Sequence, residues 1–165
     1  MSMKAPAAIA TRIPSSARVG VVAARFNAEL VDELLKGCLQ RLKELGIPAA
    51  RVTVERVPGA FELPVAAQAL CRTKRYGAVI CLGAVVRGET PHFDFVAGEC
   101  ARGIARVGLD ENMPVIFGVL TTNDDDQAWA RAGGKHGHVG KQSAEAAVEM
   151  IGVLNRLRPK RRVRA

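Results

Sequence analysis

Aromatic side chains are scarce in this 165-residue sequence: five Phe, one Tyr and one Trp, 4% in all. A core short of rings is filled by Ala, Val and Leu, and that composition favours helices packed on a Val- and Ile-rich sheet. Paired cysteines are also missing. Cys38, Cys71, Cys81 and Cys100 are scattered with no C-x-x-C spacing, which reads as buried free thiols in a reducing compartment. No apolar run is long enough to span a bilayer. Lys4 and Arg12 lie near the N-terminus, but Pro6 and Pro14 interrupt any apolar stretch there. Neither a signal peptide nor a membrane partner is therefore expected, and a cytoplasmic location is. The patterns G-x-x-x-x-G-K-[ST], G-x-G-x-x-G and G-x-S-x-G do not occur in a strand-turn-helix context. Phosphate-loop nucleotide chemistry and serine hydrolysis thus lose their main support. His136 and His138 form an H-x-H without Cys or carboxylate partners, so no metal site is predicted.

What is present fits one domain, large enough to bury a core without staples. Apolar residues make up 48% and charged residues 24% of the sequence, an ordinary composition for a soluble protein. The net charge of +8 is unevenly spread. Arg156, Arg158, Lys160, Arg161, Arg162 and Arg164 crowd the end of the chain, and without these six the net charge falls to +2. The reading is a flexible arm over residues 1–17, a folded domain over 18–157 and a solvated basic tail over 158–165. Nucleic acid is not an expected partner, because neither a recognisable motif nor an aromatic stacking platform accompanies the tail.

Strand and helix signals alternate along the domain. Residues 18–24 (RVGVVAA) form a short apolar strand. Asn27 is placed to cap a helix running to about Leu45. Leu30, Val31, Leu34, Leu35, Cys38, Leu39, Leu42 and Leu45 give that helix one wide apolar face. Gly46 ends it and Pro48 prevents continuation. Residues 52–57 alternate as a half-buried strand does, and a helix follows over 61–72 with Pro64 in its first turn. Residues 78–86 (AVICLGAVV) are apolar throughout, the mark of a central parallel strand. Thr90 and Pro91 read as a cap and first helical residue, opening a helix to about Val107. Residues 114–120 make a fourth strand, Asn123 caps a short acidic helix to Ala132, and a last helix spans 143–156. Strands separated by helices mean an α/β domain with a parallel sheet between helical layers. Ligands in such folds bind beyond the carboxyl ends of the strands, which here selects the loops at 24–27, 57–62, 86–92 and 120–126.

The unusual residues gather in or near those loops. In 86–92 (VRGETPH), the N–H groups of Gly88, Glu89 and Thr90 stand at a helix start, where an anion is favoured. His92 follows in the first turn, from which an imidazole can give or take a proton near pH 7. An ordinary capped turn with an exposed histidine would read the same. In 57–64 (VPGAFELP), a Pro-Gly turn exposes backbone of Ala60, Phe61 and Glu62 to the edge of a flat heterocycle; the alternative is a plain connection with Phe61 in the core. Phe26 either stacks on a ligand ring or staples the helix behind it. Arg131 pairs either with a ligand or with the negative end of its own helix. Trp129 reads as core or interface.

Four blocks in order go further: R-F-N from Arg25, V-P-G-A-F-E-L-P from Val57, L-G-A-V-V-R-G-E-T-P-H-F-D from Leu82, and F-G-V-L-T-T-N-D-D-D-Q-A-x-x-R-A-G from Phe117. In sequence and spacing they resemble the signature blocks of the lumazine synthase family, over about residues 19–150. The resemblance implies a flavodoxin-like three-layer α/β/α sandwich around a four-stranded parallel sheet. It implies condensation of 5-amino-6-(D-ribitylamino)uracil with 3,4-dihydroxy-2-butanone 4-phosphate, the penultimate step of riboflavin biosynthesis. Phe26 would stack on the pyrimidine, and Ala60, Phe61 and Glu62 would hold that substrate, with Glu62 on the ribityl chain. Ala84, Val85 and Val86 would line the pyrimidine slot, with Phe117 as a further pocket aromatic. Glu89, Thr90 and Arg131 would take the phosphate, and His92 would transfer the proton. Every step is proton transfer around an anion, so no cofactor and no metal is implied.

The resemblance also implies a pentamer with pockets between neighbours, so that Phe61 and Glu62 face Phe117 and Arg131 of the next chain. The compact linker at 131–140 is the length found in relatives that pack pentamers into an icosahedral capsid. Riboflavin synthase is a candidate protein partner. One departure is plain. Where the family usually carries Asn-Lys-Gly, its lysine close to the phosphate, this chain has His138-Val139-Gly140. Lys135, Lys141 and His138 are the candidates to stand in for it. A relative that binds lumazine or flavin without turnover would show the same loss.

Overall fold

The computed structural model describes residues 11–158. The first part of the expected arm, residues 1–10, and most of the expected basic tail, residues 159–165, lie outside the described residues. The elements run β1 (Val19–Ala24), α1 (Ala28–Glu44), β2 (Val52–Val57), α2 (Leu63–Arg72), β3 (Ala78–Val86), α3 (His92–Asp110), β4 (Val115–Thr122), α4 (Asp125–Trp129), β5 (Ala132–Gly134), β6 (Gly137–His138) and α5 (Val139–Leu157). The first four strands form one parallel sheet in the order β2-β1-β3-β4. That is the flavodoxin-like order, with the reversal in winding at β1 and β3.

Side chains of a strand alternate between the two faces of its sheet, and both faces here are apolar. Val21, Ile80 and Leu82 join Leu34 and Leu42 of α1 and Ala147 and Ile151 of α5 in one core. Val22, Val79 and Cys81 join Leu63 and Ala67 of α2 and Cys100 and Ile104 of α3 in the other. Full burial of a Val, Leu or Ile stabilises by roughly 1.5–3 kcal/mol, so the continuous apolar runs of β1 and β3 settle them at the centre. At one edge, β2 exposes Val54, Glu55 and Arg56; its charges discourage pairing with a foreign strand.

The end of α1 follows the sequence. Gly46 adopts the left-handed conformation (φ 89°), its N–H donates to Lys43 O, and Ile47 N–H donates to Leu42 O at 2.9 Å. These are the two bonds of a Schellman stop. The start of α1 does not. Asn27 has a left-handed backbone (φ 56°, ψ 48°) and gives the helix no side-chain cap. Its Nδ2 donates instead to Ala84 O of β3 at 2.9 Å. A side chain committed to the sheet cannot also cap, and the Leu30 and Val31 N–H groups donate to the Asn27 carbonyl.

The expected cap of α4 moves by one residue. The Asp124 carboxylate accepts from Gln127 N–H at 2.8 Å, while Asn123 Oδ1 accepts from Arg87. α3 opens at His92 behind Pro91, and Thr90 Oγ1 lies 3.4 Å from His92 N, a weak cap at best. Residues 131–140 carry no strand signal, yet β5 and β6 pair there as a short antiparallel hairpin. The hairpin brings His138 onto Gly37, and just beyond it Gly140 lies against the Leu34 backbone. A Cβ on either glycine would overlap its neighbour, so α1 and α5 approach closely only because both positions lack one.

In the expected arm, Ile13 packs against the core that α1 and α5 share with the sheet, and Arg51 donates to the carbonyls of Ser15 and Ala17. The four cysteines are free and buried. Burial pushes the Cys38 thiol up to about 12 and those of Cys71 and Cys100 up to about 11, and raises Cys81 as well. Thiols so raised are not nucleophiles near neutral pH. No helix among the described residues is long and apolar enough to cross a membrane.

Candidate active site

Beyond the carboxyl ends of β1, β2 and β3 lies a cavity of roughly 700 Å³, within the usual range for small-molecule sites. Phe26 and Asn27 line it from the loop after β1, and Gly59, Ala60, Phe61 and Glu62 from the turn after β2. Ala84, Val85 and Val86 form the end of β3. Gly88, Thr90, His92, Phe93, Phe95 and Val96 come from the following turn and the start of α3.

Hydrogen bonds tie these segments together. Arg25 N–H donates to Val57 O at 2.8 Å and Phe26 N–H to Pro58 O at 3.0 Å, joining the first two loops. The Asn27 amide joins the first loop to Ala84, and Arg87 N–H donates to Thr122 O at 2.9 Å across the ends of β3 and β4. Glu62 folds back on its own turn, where Oε2 accepts from Gly59 N–H at 2.9 Å. That bond fixes the short 3-10 turn Ala60–Glu62 and leaves the carboxylate on the cavity wall.

The structure decides two alternatives that the sequence left open. Phe26 is 72% exposed and Phe61 57% exposed, so neither a staple beneath α1 nor a core ring describes them. Both stand at the cavity with large apolar faces in the open. Within its own chain Arg131 makes the helix-end contact: its guanidinium donates to Gln127 O at 2.8 Å, at the carboxyl end of α4. Trp129 is 43% exposed and belongs to the surface.

Of the residues singled out in the sequence, Phe26, Ala60, Phe61, Glu62, Ala84, Val85, Val86, Thr90 and His92 border this one cavity. Glu89, Phe117 and Arg131 do not line it. Glu89 is exposed in the turn beside Thr90. Phe117 sits mid-strand on β4, in register with Cys81 and well short of Ala84 and Val86, and is 41% exposed. His138 is turned in upon Gly37, and Val139 packs against the α1 and α5 core. Among the described residues, no three His, Cys, Asp or Glu side chains gather as a metal would require.

Several lining residues carry no clear signal in the sequence. Phe93 and Phe95 look like ordinary residues of an amphipathic helix, although Phe95 is 67% exposed, more than a core position allows. Asn27 resembles a cap, and only its partner Ala84, 57 residues away, gives it a place in the cavity wall.

The arrangement suits a flat, polar ring held between apolar surfaces, with backbone groups of a strand end along its edge. Beside it stands a helix start with an imidazole in the first turn, suited to a negatively charged group and to proton transfer. The sequence over residues 16–155, spanning every element from β1 to the last turns of α5, matches the family model of 6,7-dimethyl-8-ribityllumazine synthase, and the chain belongs to that family.

Proposed function

We propose that this chain condenses 5-amino-6-(D-ribitylamino)uracil with 3,4-dihydroxy-2-butanone 4-phosphate, giving 6,7-dimethyl-8-ribityllumazine, phosphate and water. One observation carries the reading. Residues from three separate loops, those matched to the uracil and that matched to proton transfer, border a single cavity.

Phe26 stacks on the pyrimidine, whose edge meets backbone groups of Ala84, Val85 and Val86. Ala60 and Phe61 close the other side, and the free oxygen of Glu62 accepts from a ribityl hydroxyl. The phosphate of the second substrate lies at the Glu89 and Thr90 N–H groups. An amine of the uracil attacks the ketone carbon, and loss of water leaves an imine. Phosphate departs by elimination, the enol tautomerises, and the second amine closes the ring with loss of another water. His92, in the first turn of α3 beside both substrates, gives and takes the protons. Holding two reactants in register supplies much of the rate in such reactions, so the chain needs neither cofactor nor metal.

Phe117 and Arg131 complete the site of a neighbouring copy rather than their own. The functional unit is therefore a pentamer, and the compact 131–140 segment favours assembly of pentamers into an icosahedral capsid of sixty chains. The folded unit is residues 18–157, joined by the last residues of the 1–17 arm through Ile13 and the buried Ala17, with a basic tail at 158–165. It works in the cytoplasm, with riboflavin synthase as a candidate partner for its product.

Mixing the purified protein with both substrates and following lumazine fluorescence tests the reaction. Product formation that saturates in each substrate is expected. Tight binding of a lumazine without turnover would overturn it. Sedimentation at physiological salt tests the assembly: a species of pentamer or sixty-chain mass is expected, and a monomer that is active at all dilutions would refute the shared site.

A further inference from the structure

Arg87 follows the last residue of β3, and its side chain reaches three residues in two other parts of the fold. Nε donates to Asn123 Oδ1 at 3.2 Å, where β4 ends. The two terminal nitrogens lie 3.1 and 3.5 Å from the two carboxylate oxygens of Asp94, in the first turn of α3. The guanidinium carbon stands 4.2 Å from the centroid of the Phe93 ring. Phe93 lines the cavity and packs against the core beneath α2 and α3.

Between Arg87 and Phe93 runs the turn that carries Gly88, Glu89, Thr90 and His92. It has little of its own to hold it. Arg87 through His92 are exposed, a Cβ built on Gly88 would meet nothing, and the Thr90 hydroxyl makes only the 3.4 Å contact with His92 N. Each Arg87 contact is exposed and individually weak. Together they close a ring of chain, with the guanidinium as the link between the end of the sheet and the start of α3. A planar fork can grip a carboxylate, donate sideways and lie on an aromatic ring at once, which an ammonium cannot.

We propose that Arg87 is a positioning residue: it holds the 88–92 turn and the Phe93 wall in register with the sheet, and so sets how the phosphorylated ketone and His92 meet. This rests on the function proposed above, because it concerns the same cavity. The aminouracil is gripped from the β1 and β2 loops and by the backbone of Ala84 to Val86, which pairing with β4 holds without the Arg87 side chain, so the two substrates respond differently to its loss.

The test compares Arg87→Met and Arg87→Lys with the unaltered protein, each substrate being varied at saturation of the other. In R87M, KM for the butanone phosphate is expected to rise and kcat to fall by about tenfold each, the scale of a misplaced reacting group. KM for the aminouracil is expected to stay within about twofold, and R87K to fall between R87M and the unaltered protein. A fall in kcat with neither KM moved means only a loss of active protein, and overturns the proposal. So does a parallel rise in both KM values, or full restoration by lysine.

Amide exchange over residues 86–95 supplies a readout that needs no turnover, and it is expected to quicken in R87M. If the unaltered protein makes no lumazine, the proposed reaction fails, whereas unchanged exchange in R87M overturns the positioning role by itself.

Discussion

The His138 imidazole fills the space over Gly37 that any Cβ there would occupy, and neither ring nitrogen is hydrogen-bonded. The side chain is 11% exposed, and Nε2 lies 3.9 Å from Glu33 Oε1, too far for a hydrogen bond. Burial holds the imidazole below its usual pKa. Lys141 of α5 and Lys36 of α1 push the same way, and Glu33 of α1 opposes them.

The direction fixes a pH dependence. The unfolded chain binds the His138 proton more readily than the folded one, so stability rises with pH across the gap. The contribution is complete above the ordinary histidine value of 6.5 and is lost as the pH falls below it through the folded value. The urea midpoint is expected to drop on moving from about pH 7.5 to about pH 5.5. His138→Phe keeps a ring over Gly37 without a nitrogen to protonate, and should flatten that slope. Equal slopes in the two proteins would assign the acid sensitivity elsewhere.

Gly140→Ala and Gly37→Ala rank the contact between α1 and α5. At Gly37 the obstacle is the His138 ring, a side chain that can swing aside, so a loss of roughly 1–3 kcal/mol is expected. At Gly140 the obstacle is the carbonyl of Leu34, part of the α1 backbone, and the whole helix must shift. Thermal melting should place G140A below G37A. The reverse order would mean that the helices slide apart easily.

His92→Ala should leave the melting temperature nearly unchanged, because the side chain is exposed and fills no core. Turnover should fall by about ten- to a hundredfold, at or below the lower end of the ~10²–10⁴-fold worth of a general acid or base, because the condensation partly drives itself. Steady-state rates across pH check this. A profile identical to that of the unaltered protein would remove His92 from the proton path.

Arg131→Ala should weaken the phosphorylated ketone by roughly 1.5–3 kcal/mol, the worth of a hydrogen bond to a charged group, and leave the aminouracil alone. The guanidinium also caps the Gln127 carbonyl, so a small loss of stability should accompany it. Separate binding titrations with each substrate distinguish the roles. Equal weakening of both would leave only the helix cap.

The sheet was legible because its signals are local. The unbroken apolar run at 78–86, nine residues rich in Val and Ile and flanked by Gly77 and Gly88, marks a strand buried on both faces, and the leucines of α1 declare their face by spacing alone. Gly46 followed by Pro48 marks the end of that helix for equally local reasons. Asn27 shows where such reasoning stops. Its residue type favours a cap, yet the Ala84 carbonyl captures its side chain, and that pairing exists only once β1 lies beside β3. The β5–β6 hairpin has too few residues for any periodicity. The bonds that frame it, Val139 N–H to Arg131 O and His136 N–H to Ala130 O, are again visible only in three dimensions. In the site, strand ends and turn chemistry pointed to the loops at 24–27, 57–62 and 86–92 that border the cavity, but also to 120–126, which does not line it. Arg87 stayed hidden because its partner Asn123 becomes a neighbour only through the pairing of Val86 with Thr122.

The cavity draws its walls from Phe26 to Val96, across two complete crossovers and the start of a third, and no two adjacent elements make it alone. Occupancy is therefore a gauge of the assembled sheet. A ligand at a hundred times its Kd adds about 2.7 kcal/mol to the folded state, and that increment reaches the whole α/β unit rather than one loop. Melting curves with and without ligand should shift as one transition. A chain circularly permuted within the β1–α1 loop would keep every lining residue and yet bind weakly, because the strap from Asn27 to Ala84 would hang from a free end.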